Sequence, residues 1–254
     1  QKIDVNPHDF GALLLRGRAH FQLQEWNAAA TDLRQVVEAD PNGERVLETQ
    51  MWLAGTLEAL GEYDAAIESA TAALDVQGGH SVESQAYLIR LRASCRIYLG
   101  DFSRGLDDCR QFLEVGEPDA DFCIVHGQAL LAELDFAGAL EAFQKAVQLS
   151  DEPAAALHMV SYILSACPDE ALRDGQKAIR LSEQACQLTE MQDWVCLSGL
   201  ANAWAEVGDF NKAVQFANQA LELAPENERS ERSEIIDQYR NRIPFRHSHE
   251  PNPG

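Results

Sequence analysis

The chain has 254 residues, 46% of them hydrophobic, and sets 20 Lys and Arg against 41 Asp and Glu for a formal charge of -21. That apolar fraction supports a folded core and excludes a largely disordered polymer. The negative balance disfavours a nonspecific hold on phosphate backbones or anionic lipid, which needs clustered cations, so no nucleic acid is expected as a partner. Apolar runs such as Leu13 to Leu15 and Met159-Val160 fall far short of the ~20 residues of a spanning helix, so no membrane insertion is expected. The N-terminus lacks the charged-then-apolar pattern of a signal peptide, and the compartment stays open.

Taken in chain order, five segments repeat one pattern: GRAHFQLQEWNAAATDLRQVVEADP, AGTLEALGEYDAAIESATAAL, ASCRIYLGDFSRGLDDCRQFL, GQALLAELDFAGALEAFQKAV and ANAWAEVGDFNKAVQFANQALELAP. Each has a small residue in a first apolar helix, then a Gly or stand-in ahead of an aromatic, then Ala or Gly in a second apolar helix. The aromatics are Trp26, Tyr63, Phe102, Phe136 and Phe210. Gly or Ala at a helix crossing lets two axes approach to about 8 Å. No single hairpin can bury its whole apolar surface, so neighbours must stack.

With packing positions at Leu13, Gly17, Ala29, Leu33, Val36 and Pro41 in the first unit, the pattern resembles the tetratricopeptide repeat, a helix-turn-helix of about 34 residues. The resemblance implies an all-α fold, a right-handed superhelical solenoid of stacked hairpins. Six repeats are expected within 10–225, approximately 10–43, 47–80, 86–119, 120–153, 154–190 and 194–226. Pro7 stands 34 positions before Pro41, so residues 1–9 read as the end of a preceding repeat and the chain as a fragment covalently linked to further upstream sequence. Gly78-Gly79, in VQGGHSVES ahead of the third repeat, marks a connecting loop and candidate hinge. A capping helix is expected at 227–243, with Ile235, Ile236, Tyr239 and Ile243 on its apolar side, and a flexible tail at 244–254.

The fifth unit is irregular. The small residue of its second helix comes at Ala178, which places five extra residues in the turn CPDEALRD; Pro168 stops the first helix and Asp174 caps the second. Its CPD turn, the Leu172 to Gly175 step and the Ala185-Cys186, Leu188-Thr189 ending resemble a repeat of planctomycete bacterial proteins. Members with such repeats often carry a kinase, thioredoxin-like or other domain elsewhere.

Candidate chemistry is sparse. Cys95, Cys109, Cys123, Cys167, Cys186 and Cys196 contain no CxxC pair. Cys186 lies about 16 Å along the second helix from its start, beyond the ~7 Å span of a disulfide to Cys167. Unpaired thiols favour a reducing compartment such as the cytoplasm. The His247 and His249 pair lacks further ligands at metal spacing, and His20 and His126 occupy packing positions. No metal, cofactor or catalytic residue is assigned, and the chain is not expected to be an enzyme.

The wall of first helices should present repeat positions two, five, nine and twelve, with position six at its border. It collects Leu14, Arg18 and Phe21, then Met51, Trp52 and Gly55, then Tyr87, Arg90 and Ser94, with Gln128, His158 and Asn202 further on. Aromatic and Arg residues dominate binding hot spots. The expected partner site in the concave groove is therefore Arg18, Phe21, Trp52, Tyr87, Arg90, Ser94, Gln128 and Asn202, taking a peptide or helix of a protein partner. The Lys and Asn pattern with which some family members clamp a terminal carboxylate is not matched by Leu14 with Arg18, Met51 with Gly55, or Arg90 with Ser94. Arg90, Arg92, Arg96, Arg104 and Arg110 form a basic concentration, read either as stems lying along the core or as a local site for an anionic partner. The alternative functions are a structural spacer, a self-association module, or a regulatory arm of an enzyme encoded upstream.

Overall fold

The computed structural model describes residues 9–41, 45–76 and 81–247. The described residues form thirteen α-helices and two short 3-10 turns, with no strand among them. The chain divides into two compact units, residues 1–118 and 119–254.

The first unit holds three hairpins: α1 (Phe10–Gln22) with α2 (Trp26–Ala39), α3 (Val46–Ala59) with α4 (Tyr63–Leu74), and α5 (Val82–Tyr98) with α6 (Phe102–Val115). The second holds α7 (Ala120–Ala132) with α8 (Phe136–Leu149), α9 (Ala154–Ala166) with α10 (Gly175–Leu188), α11 (Trp194–Glu206) with α12 (Phe210–Leu223), and finally α13 (Arg229–Arg240). The loop expected ahead of the third hairpin is shorter than its composition suggests. Ser81 caps α5 through Ser84 N–H, so Val82 to Ser84 are helical; Gly78-Gly79 lie outside the described residues, as does Pro7.

Five hairpins turn in three residues, and the middle one is left-handed: Gly61, Gly100 and Gly208 at φ 74°, 79° and 85°, but Gln24 at 59° and Leu134 at 63°. The turn closes the helix end, as where Gly61 N–H donates to Glu58 O and Glu62 N–H to Leu57 O. Helix crossings are tight where glycine stands: a Cβ on Gly127 would lie 2.7 Å from the Phe143 ring, and one on Gly17 would lie 2.9 Å from Leu33.

The core of the first unit gathers Leu14, Leu33, Leu53, Leu57, Leu88 and Leu91 around Ala29, Ala54, Ala66 and Ala73. Leu14 is thus a core residue, not part of the wall. In the second unit Phe143, Leu157, Ile163, Leu197 and Leu200 form the larger core. Ile235, Ile236 and Tyr239 of α13 cover Ala201, Ala205, Ala213 and Ala217 of the last hairpin. Ile243 does not join them; it is 54% exposed, because α13 ends at Arg240 and Arg242 turns the chain at φ 60°.

Nor is the whole of 244–254 a free tail. His247 N–H donates to Ala166 O at 2.8 Å and Arg246 to Ser165 O at 3.2 Å, so the segment as far as His247 is bound to α9; His249 lies outside the described residues.

Candidate functional site

In the first unit α1, α3 and α5 bring most of the expected residues together. Phe21 meets Trp52 edge-on at 5.1 Å between centroids and Trp26 likewise at 5.1 Å. Arg18 lies over the Trp52 ring at 5.2 Å and donates to Glu48 at 2.7 Å. Tyr87, 41% exposed, reaches α3 at Gly55, where a Cβ would collide with the Tyr87 hydroxyl and stand 3.5 Å from Phe21. Glycine at 55 therefore makes the notch in which two aromatic rings from different helices converge. Arg90 and Ser94 follow Tyr87 on α5, both half-buried.

Two acids complete this wall. Glu48 pairs with Arg18, and Glu58 shares the field of Arg90: burial pushes its carboxyl above the ordinary 4.5 while Arg90 opposes the rise. The Tyr87 hydroxyl is pushed up to about 12, first by burial and then by Glu58. Glu48 and Glu58 stand at repeat positions two and twelve of the second repeat, so the register that pointed to Trp52 also contained the signal for them.

The basic concentration is spent internally. Asp108, 1% exposed by its side chain, accepts from Arg92 at 3.0 and 2.7 Å and from Arg96 at 2.7 Å. Arg104 pairs with Asp101 and Arg110 with Asp107. The guanidinium heads of Arg92 and Arg96 thus turn into the hairpin to meet a buried carboxylate, rather than snorkelling outward or forming an anion site.

In the second unit Gln128 is exposed on α7. Asn202 differs from expectation: its amide oxygen accepts the Tyr239 hydroxyl, in a cavity of about 10 Å³ lined also by Ser198, Ala201, Ala217, Arg232 and Ile235. Because α13 stacks on this hairpin, Asn202 is half-buried and engaged in an internal contact. The enlarged turn is likewise engaged: Asp169 accepts from Ala171 N–H, Asp174 from Lys177 N–H, and Arg173 binds Glu206 at 3.0 Å and the Cys167 and Pro168 carbonyls.

His158 fills the space left by Gly199, where a Cβ would lie 2.6 Å from its Nδ1. Burial holds its imidazole down to about 4 from the ordinary 6.5, with Asp193 pulling the other way. The unfolded chain therefore takes up this proton first as pH falls, so the stability contributed by neutral His158 is complete above about pH 6.5 and is lost toward about pH 4. Thermal melts across this range should show the loss in the second unit, and His158→Gln should make the slope shallower.

All six cysteines are free and buried. Burial is the first cause pushing their thiols up, to about 12 for Cys95, Cys109 and Cys196 and about 11 for Cys186, with Cys123 and Cys167 also raised. At neutral pH they are thiols, not thiolate nucleophiles. Among the described residues no His, Cys, Asp and Glu group could hold a metal ion, and no helix is long and apolar enough to cross a membrane.

Stacked helical hairpins with a side-chain-lined wall of first helices are the architecture of tetratricopeptide repeats, and tetratricopeptide-repeat models recognise such repeats in this chain at residues 3–44 and 14–81, and again at 199–227. The chain is 23% identical over 241 residues to the DnaJ protein P58IPK homolog B of Oryza sativa subsp. japonica, covering 90% of this chain and 46% of that protein. The DnaJ protein P58IPK homolog of Arabidopsis thaliana is 23% identical over 239 residues, with 90% and 44% covered. The chain therefore spans less than half the length of these relatives.

Among solved structures, YrrB, a tetratricopeptide-repeat protein with an unusual peptide-binding site, superposes with a TM-score of 0.63 at 15% identity, over 81% of this chain and 99% of YrrB. A tetratricopeptide repeat protein from Parabacteroides merdae gives 0.63 at 13% identity, over 91% and 92% of the two chains. At these identities the likeness is one of fold.

Proposed function

We propose that the chain is a noncatalytic protein-interaction scaffold whose first unit binds an extended segment or a helix against the wall of α1, α3 and α5. The observation that carries this reading is the convergence of Phe21 and Tyr87 at Gly55, with Trp52 edge-on to Phe21, flanked by Arg18 with Glu48 and by Arg90 with Glu58. Three aromatic rings from successive hairpins offer apolar contact at little cost in side-chain entropy. The flanking charges select the polar neighbours of the bound residues more than they add affinity. Peptide binding by YrrB, on the same fold, is consistent with this use of the wall.

Peptides selected by the chain from a displayed library should lose affinity about 30-fold or more to the Trp52→Ala, Arg90→Ala double variant, as expected of hot-spot residues. Undiminished binding to a variant with an unchanged circular dichroism spectrum would move the site elsewhere. Should no peptide be selected while sedimentation shows concentration-dependent oligomers, the self-association reading replaces this one.

A further inference from the structure

The last four carbonyls of a helix have no donor within it. In the five short hairpins the turn itself supplies donors, but at α9 Pro168 and the eight-residue turn change the arrangement. Cys167 N–H still reaches Ile163 O, at 3.1 Å, and Asp174 N–H reaches Leu164 O, at 2.9 Å. The remaining two carbonyls are taken by residues about 80 positions later in sequence: Arg246 Nη1 donates to Ser165 O at 3.2 Å and His247 N–H to Ala166 O at 2.8 Å.

The side chains of the same segment are seated as well. Arg246 Nη2 lies 2.6 Å from Glu206 Oε2, while Glu206 Oε1 accepts from Arg173 at 3.0 Å. His247 Nδ1 is 2.7 Å from the Tyr162 hydroxyl, and its ring stands edge-on to Phe136 at 5.3 Å and to Tyr162 at 5.9 Å. A helix carbonyl bound by a backbone N–H, a guanidinium in a carboxylate and a ring between two aromatics are the contacts of a bound extended peptide.

Two further observations separate this segment from ordinary helix capping. First, α13 is closed before it begins: Asn241, Arg242 and Ile243 N–H donate to Asp237, Tyr239 and Gln238 carbonyls, and Ile243 is left exposed. Second, Tyr162 and Ser165 stand at repeat positions nine and twelve of their first helix, the places held on α1 by Arg18 and Phe21. The segment thus lies on residues whose register is that of the partner-binding wall.

We propose that residues 244–247 are an intramolecular ligand occupying a peptide site on the second unit, formed by Phe136, Tyr162, Ser165, Ala166 and Glu206. The site accepts in trans an extended segment with Arg followed by His or an aromatic residue. The chain's charge of -21 favours approach of such a basic segment. The tethered occupant acts as an autoinhibitor. The short connection from α13 holds the occupant at a high effective concentration, so a competing segment binds only as tightly as the vacant fraction of the site allows. This site is independent of the aromatic wall of the first unit, and either can fail without the other.

The test uses the full chain and a fluorescent peptide of residues 243–248, Ile-Pro-Phe-Arg-His-Ser, followed by anisotropy. The Arg246→Ala, His247→Ala variant should bind it at least about tenfold more tightly than the unaltered chain, and adding Glu206→Gln should reverse most of that gain. Equal binding by both chains, or binding by neither, overturns the proposal. If the double variant loses its folded circular dichroism spectrum, Tyr162→Phe loosens the occupant by removing a single hydroxyl, and unchanged peptide affinity there counts against the proposal. Hydrogen exchange on the unaltered chain supplies a separate reading: a protected His247 amide supports an occupied site, and free exchange overturns it.

Discussion

Asp108→Ala is expected to destabilise the first unit by about 3 to 5 kcal/mol, as removal of one partner from a buried ion network does. Asp108 is 1% exposed by its side chain, and the side chains of Arg92 and Arg96 are 13% and 17% exposed. Without the carboxylate two guanidinium groups are left inside the third hairpin with no anion between them. Asp108→Asn should fall between, because it keeps the shape and an acceptor but loses the charge. Replacing Asp108 by Leu together with Arg92 and Arg96 by Met should restore much of the loss, since apolar residues of similar volume avoid desolvating ions. Urea unfolding of the four proteins gives the order. The same geometry in the first hairpin is weaker. Arg16 pairs with Asp32 at 2.6 Å but is 26% exposed, and His20 stands 4.0 Å from Asp32. Asp32→Ala should therefore cost less than Asp108→Ala.

In the second unit the largest loss is expected from Tyr239→Ala, about 3 to 5 kcal/mol as for other large aromatic truncations. Tyr239 is fully buried and packs with Ile235 and Ile236 against the alanines of α11 and α12. Its removal opens a cavity where α13 covers the last hairpin, so exposed apolar surface and aggregation should follow in thermal melts. Tyr239→Phe keeps the ring and loses only the hydrogen bond to Asn202, for which about 1 kcal/mol is expected. A large Phe effect would mean that the hydroxyl, and not the ring, holds α13 in place.

The hairpins were legible because small residues recur where helices cross and an aromatic follows each turn. Counting register was enough to bring Arg18, Phe21, Trp52 and Tyr87 to one wall. It did not foresee the Tyr239 contact of Asn202, because a helix register says which way a residue faces but not which later helix will stack on it. It passed over Glu48 and Glu58, which occupy wall positions, because charge alone does not separate an acid on a binding wall from one on any solvated helix face. The Arg92 and Asp108 pair had a visible signal in its 16-residue spacing, repeated by Arg16 and Asp32. Residues 244–247 had none: their partners Tyr162 and Ser165 lie more than 80 positions away, and composition alone reads such a segment as tail.

The left-handed turn residues bear on the order in which the hairpins form. A side chain in that conformation costs about 1 to 2 kcal/mol relative to glycine, so Gly61, Gly100 and Gly208 let their turns close from local sequence alone. Leu134 meets that cost with contacts to the core of the second unit. The second, third and sixth hairpins are therefore expected to form ahead of the fourth, and φ-value analysis with substitutions in each turn would show that order.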